Sequence, residues 1–310
     1  MSRLNSLSGG GGVGAFPGRH GGAPVVGPAA ANAPSATRLA TDGFEKAPEA
    51  RAPVHLNAVA PVTDLPVGGP DKQYDGMLVG AGGHVYRTGT PLSEVPAVQP
   101  DASSRVPRNT ETIIYTNGIL TDLKGQQASL QAIANVTGSN VIGVHNSTEG
   151  AIKDLLQCVN DKSNNIFARN PAVDSLSDTI HDQLRQGKEV HLMGHSQGGL
   201  ITSRALSDLK ARLTSEDGMT TEQAETLMSR IKVETFGAAA ASYPDGPQYT
   251  HNINRCDLVP SMVGLGVLAD VHLLVHPGRG AKVNYFTDQA GGIQANHAFN
   301  TTYLNHRTSP

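Results

Sequence analysis

Gly194-His195-Ser196-Gln197-Gly198 is the stretch of this chain whose residue types and spacing could support covalent chemistry. It matches G-x-S-x-G, a pattern that places a serine on a strained turn between a strand and a helix. The two glycines let strand and helix approach without side-chain clash, and the hydroxyl is held up at the carboxyl end of a sheet. Five residues of such common types mean little alone, so the setting decides. A predicted strand at residues 189–193 precedes the motif, and Leu200, Ile201, Ala205 and Leu206 follow in a helical pattern. Ser196 is therefore the candidate nucleophile.

A serine hydroxyl is a weak nucleophile and needs a neighbouring base, usually a histidine oriented by a carboxylate. When the serine crowns a parallel sheet, the partners follow in chain order, Asp or Glu and then His. Asp257, in Asn252-Ile253-Asn254-Arg255-Cys256-Asp257-Leu258-Val259-Pro260, stands at the end of a predicted strand and is the candidate acid. Asp245, in a Pro/Gly turn, and Asp270, inside an apolar stretch, compete with it. His297 follows the last predicted strand through a polar, Gly-rich loop at residues 287–296 and is the candidate base. His251, His272 and His276 lie on or beside strands, and His306 is near the end of the sequence. Acyl transfer also needs donors for a developing oxyanion. The backbone N–H of Gln197 is one candidate. The second is the N–H of Ile119 or of Gly118, in the Asn117-Gly118 turn after an early strand.

The elements that must position these groups alternate along the chain. Strands are predicted at residues 112–116, 141–145, 190–193, 232–236, 250–253, 271–275 and 283–286, with shorter ones at 77–79 and 84–86. Helices are predicted at 126–136, ended by Gly138, and at 151–161. A third opens at Asn170-Pro171 and ends at Gly187. Others are predicted at 197–213, within 221–231, and at 298–304. Strands alternating with helices imply an α/β fold, a mostly parallel sheet flanked by helices. The first forty residues, rich in Gly, Ala and Pro, bury too little apolar surface to offset their ordering entropy. The expected division is a disordered leader at 1–75, an irregular extension at 76–107 and a catalytic domain at 108–310.

Composition narrows the function. The 310 residues carry a net charge of −3, no Trp and no basic block, which argues against nucleic acid as a partner. The cysteines, Cys158 and Cys256, form no CxxC pair, so neither a disulfide framework nor a metal site is expected. No run of ~18 apolar residues spans a membrane, and no apolar signal-peptide core opens the chain. The apolar stretch 258–275 reads as buried helix and strand; lining an acyl pocket or touching a membrane surface peripherally are the other readings.

At these residues the chain resembles the α/β-hydrolase family, especially its lipases and esterases, over roughly residues 108–304. The Asn117-Gly118 turn stands where many relatives carry His-Gly. Asn-Arg-Cys-Asp-Leu-Val-Pro is similar to the acid context of several lipases, and Asn296-His297-Ala298-Phe299 with Tyr303 is similar to their His-centred segment. The resemblance implies a cofactor-free serine hydrolase acting on a small-molecule or lipid ester. The short span from Gly237 to Asp257 leaves little room for a long lid. Residues 144–150 resemble a feature of uncharacterised bacterial hydrolases and receive no role. The leader resembles that of bacterial type III secreted effectors, implying action in the bacterial cytoplasm or in a host cell. Two other functions share these residues: another acyl chemistry (thioesterase, amidase or acyltransferase), and a catalytically silent binding module.

Overall fold

The computed structural model describes residues 71–147, 170–266, 275–289 and 291–308. Residues 1–70 of the expected leader, the helix predicted at 151–161, and most of the strand predicted at 271–275 lie outside them; residues 72–74, at the end of that leader, form a 3₁₀ turn with Tyr74 buried.

Eight strands form one sheet in the order β2-β1-β4-β3-β5-β6-β7-β8. These are β1 (Leu78–Val79), β2 (Val85–Tyr86), β3 (Thr112–Thr116), β4 (Asn140–Val144), β5 (Val190–His195), β6 (Ile231–Phe236), β7 (Gln248–Asn254) and β8 (Lys282–Phe286). From β4 to β8 all neighbours are parallel, whereas β1 pairs antiparallel with both β2 and β4. The stretch expected to be an irregular extension thus supplies the edge of the sheet. Val98 adds an antiparallel bridge to Val141. The short strands predicted at 77–79 and 84–86 are β1 and β2, but two residues are too short to show an alternating pattern that would tell which sheet they join.

The helices are α1 (Leu123–Thr137), α2 (Pro171–Arg185), α3 (Gln197–Ser215), α4 (Thr221–Met228), α5 (Leu258–Val263) and α6 (Ile293–Asn296). Their ends follow local chemistry. Asp122 caps α1 by accepting from the Gly125 N–H, and Gly138 ends it in the left-handed conformation. Asn170 caps α2 ahead of Pro171. Thr220 and Gln223 form a reciprocal capping box on α4.

Side-chain alternation along the strands divides the core between the two faces. Ile114, Ile142, Val190, Leu192 and Val233 pack with the apolar residues of α2, α3 and α4. Ile113, Tyr115, Val141, Met193 and Phe236 pack on the other face with α1 and with Phe299, Tyr303 and Leu304.

The C-terminal segment departs from expectation. In place of a loop at 287–296 and a helix at 298–304, α6 occupies part of the loop. A π-turn (Phe299–Tyr303) and a 3₁₀ turn (Leu304–His306) follow. The Ala298 carbonyl accepts from the N–H groups of both Thr302 and Tyr303, which widens the turn. Turns this short carry no helical periodicity for a sequence to display. Beyond them, Arg307 reaches back to the fully buried Glu234 on β6 with two hydrogen bonds of 2.7 Å. Paired forks of this kind are among the stronger polar contacts, and here they fasten the end of the segment to the sheet.

Candidate active site

Ser196 sits between β5 and α3 at φ 55°, ψ −122°, one of two described non-glycine residues with positive φ. Such a conformation costs about 1–3 kcal/mol and persists only when its surroundings hold it. Here the Ser196 N–H donates to the Phe236 carbonyl at 3.0 Å. Its carbonyl accepts from the N–H groups of Gly199 and Ala239, each at 3.0 Å. Gly198 is needed because a Cβ there would lie 2.1 Å from the Thr116 carbonyl oxygen at the end of β3. The serine is thereby pinned to the carboxyl ends of β3, β5 and β6.

Asp257 follows β7, is fully buried, and caps α5. Its Oδ1 accepts from the Val259 N–H at 2.9 Å. Its Oδ2 accepts from His297 Nδ1 and from the Tyr303 hydroxyl, each at 2.6 Å. Burial, and after it the neighbouring Asp257 charge, pushes the Tyr303 hydroxyl far above its ordinary pKa, so it remains a donor. An acceptor-only carboxylate with three donors around it is well satisfied although it is fully buried.

His297 is brought over the motif from the far end of the sequence. Asn254 donates to the Asn296 carbonyl at 3.1 Å and to that of Asp288 at 2.8 Å, and Asn296 donates to the Cys256 carbonyl at 3.0 Å. Phe299 stacks on Tyr115 with ring centroids 4.9 Å apart and meets Phe236 edge-on at 5.3 Å. His195, beside Ser196 in the chain, donates from Nε2 to the His297 carbonyl at 2.9 Å, and the two imidazoles lie 4.7 Å apart. Burial, then repulsion from His297, holds the His195 pKa well below its usual value. It is therefore neutral and carries its proton on Nε2.

Two atoms at this meeting point are buried and have no hydrogen-bond partner among the described residues: Ser196 Oγ and His297 Nε2. Buried polar atoms are rarely left so. No hydrogen bond joins serine and histidine here, and contacts of this kind commonly tighten only with substrate in place.

The Asn117-Gly118 turn lies directly against the serine, since a Cβ on Gly118 would come 2.9 Å from the Ser196 Cβ. The N–H of Gln197 is the first of α3, among those that helix geometry leaves without an intrahelical partner. All six sequence-derived candidates thus belong to segments that converge at the carboxyl ends of the parallel strands.

The competing residues lie elsewhere. Asp245 pairs with Arg279 and His276 at the surface, and His306 pairs with Asp288. His251 is buried between the Thr235 hydroxyl and the Pro277 carbonyl. Asp270 and His272 lie outside the described residues. Sequence reasoning gave no role to Asn146, in the stretch at residues 144–150. Its Nδ2 donates to Gln197 Oε1 at 2.8 Å, and its backbone pairs with the Asn117 side chain. The available signal was positional: Asn117 and Asn146 follow the ends of the adjacent strands β3 and β4.

A serine on a left-handed turn after β5, an acid after β7, a histidine after β8 and a turn after β3 together define an architecture. The fold is that of the α/β-hydrolases. No family model matches the sequence, and no curated protein matches it. Among solved structures, the chain is similar to a dienelactone hydrolase-like promiscuous phosphotriesterase from metagenomic libraries. Identity is 10% and the TM-score 0.35, over 59% of this chain and 72% of the other. It is also similar to Aspergillus fumigatus lipase B, at 12% identity and TM-score 0.37, over 66% of this chain and 52% of the lipase. Among the described residues, no helix is long and apolar enough to cross a membrane, and no cluster of His, Cys, Asp or Glu could hold a metal ion.

Proposed function

We propose that the protein is a serine hydrolase cleaving carboxylic esters, with Ser196 as nucleophile, His297 as base and Asp257 as the orienting acid. The observation that carries this reading is the pair of buried, unpartnered atoms, Ser196 Oγ and His297 Nε2, with the histidine already bonded through Nδ1 to a buried carboxylate. That bond fixes the tautomer, leaving Nε2 with a lone pair to take the serine proton.

As Oγ attacks the ester carbonyl, its proton passes to Nε2 and the carbonyl oxygen becomes an oxyanion facing the N–H groups of Gln197 and Ile119. The intermediate collapses, the alcohol leaves with the proton from His297, and the acyl group remains on Ser196. Water, deprotonated by the same histidine, then releases the acid. Each oxyanion donor is worth about 3–4 kcal/mol in the transition state. Exposed apolar side chains on the segments carrying the site (Leu120, Leu258, Met262 and Ile293) favour an ester with an apolar acyl or alcohol part.

The test is labelling with a fluorophosphonate probe alongside hydrolysis of p-nitrophenyl esters, wild type beside Ser196→Ala. The expected result is label on the Ser196 peptide in wild type alone, and a loss in kcat of roughly four to six orders of magnitude in a folded variant. Equal turnover in the two proteins would remove Ser196 from the mechanism. A folded wild type that neither labels nor turns over would favour a silent binding module on the same fold. Matched assays with thioester and amide substrates separate the ester reading from other acyl chemistry.

A further inference from the structure

Two buried asparagines outside the Ser-His-Asp set are connected to both candidate oxyanion donors. Asn117 and Asn146 are fully buried. The Asn117 side-chain amide reproduces a peptide pairing, accepting from the Asn146 N–H at 2.9 Å and donating to the Asn146 carbonyl at 2.7 Å. It thereby continues the β3–β4 ladder beyond Thr116 and Val144, the last paired residues. The same Asn117 Nδ2 also donates to the Gly118 carbonyl at 3.0 Å.

That last bond has a consequence for the next residue. The Gly118 carbonyl and the Ile119 N–H belong to one planar trans peptide and point in opposite directions. Holding the carbonyl against the Asn117 side chain therefore turns the Ile119 N–H away from that amide, in a turn that already abuts Ser196. Of the two alternatives after β3, the Ile119 N–H is the one whose peptide this bond orients. Asn146 connects the other donor: its Nδ2 donates to Gln197 Oε1 at 2.8 Å, and Gln197 is almost fully buried.

We propose that Asn117 and Asn146 are positioning residues that fix the distance and direction between the Ile119 and Gln197 N–H groups, setting the oxyanion hole before substrate arrives. The inference rests on the serine-hydrolase reading. Donors aimed in advance at the developing charge lower the barrier because nothing reorganises during the reaction. Removing the link should thus be felt in the transition state more than in substrate binding.

The experiment compares wild type, Asn146→Ala and Gln197→Leu. Asn146→Ala keeps the backbone groups that pair with Asn117 and removes the bond to Gln197; Gln197→Leu removes the same bond from the other side and keeps its N–H. Fluorophosphonate titration counts active sites, p-nitrophenyl butyrate gives kcat and KM, and an alkyl boronic acid reports affinity for a tetrahedral adduct. In both folded variants, kcat per titrated site should fall about 10–100-fold. KM should stay within about threefold, and boronate affinity should weaken in step with kcat. A purely structural network would lower thermal stability and the number of titratable sites but leave kcat per site and boronate affinity unchanged, and that result overturns the proposal. Loss of folded protein in both variants also overturns it, by assigning the network to stability alone. An inactive, unlabelled wild type would instead defeat the hydrolase reading beneath it.

Discussion

The Asp257 carboxylate is held by donors from three separate parts of the chain: the Val259 N–H of its own helix, His297 Nδ1, and the Tyr303 hydroxyl. The last of these stands out because Tyr303 is itself fully buried and also accepts from the Asn254 N–H at 3.3 Å. It ties β7 to the acid that follows it. Removing one donor from a buried charged acceptor costs about 1.5–3 kcal/mol. Tyr303→Phe keeps the ring and its packing against Phe286 while deleting the bond. The expected outcome is a stability loss in that range, read by urea denaturation. It should be accompanied by a fall in kcat of roughly tenfold, the effect of about 1.4 kcal/mol reaching the transition state. Stability unchanged from wild type would mean that water or a shifted side chain replaces the hydroxyl.

Between elements, the close approach of β3 to the start of α3 is the contact on which the site's geometry depends. A Cβ on Gly198 would lie 2.1 Å from the Thr116 oxygen and 2.7 Å from its carbon, and both are backbone atoms that cannot swing aside. Gly198→Ala should therefore destabilise by about 3 kcal/mol or more, at the upper end of overpacking costs. Thermal denaturation checks this, and a variant melting with wild type would show that β3 and α3 separate freely. This contact was implicit in the second glycine of the motif, as the strands β3, β5 and β6 were in their β-branched runs. The helix caps at Asn170 and Gly138 were also legible, because capping is local chemistry. Less local features were hidden. The antiparallel place of β1 beside β4, with β2 beyond it, is set by pairing between distant segments, and the π-turn follows from a shared Ala298 carbonyl. Asn117 and Asn146 look like turn residues until β3 and β4 bring them together. That the six candidate residues would lie at the carboxyl ends of the strands follows from chain order around a sheet; the contacts around them do not, because they depend on which strand ends meet.

Across the whole molecule, buried histidines tie stability to pH. His145 hydrogen-bonds Gln126 Oε1 at 2.7 Å, and His251 lies between Thr235 and Pro277. Burial lowers both pKa values to about 4, against the partial opposition of Asp71 and Asp122 for His145 and of the Pro277 carbonyl for His251. In the unfolded chain each titrates near 6.5. Above that value both states are neutral and the contribution to stability is complete. As the pH falls from about 6.5 towards 4, the unfolded chain binds protons that the folded histidines exclude, so stability is lost, by about 2 kcal/mol per residue at pH 5. His191 runs the other way. Burial lowers its pKa, but hydrogen bonds to Glu111 and Glu234 outweigh that and leave it raised. Its contribution is full below about 6.5 and fades as the pH rises through the folded value. Stability should consequently fall towards acid, with a shallower loss on the alkaline side. Urea midpoints at pH 7 and pH 5 measure the acid limb. His251→Gln should be weaker at pH 7, having lost its ring contacts, yet should lose about 2 kcal/mol less than wild type between the two pH values. Equal losses in the two proteins would mean that His251 already takes up a proton in the folded state.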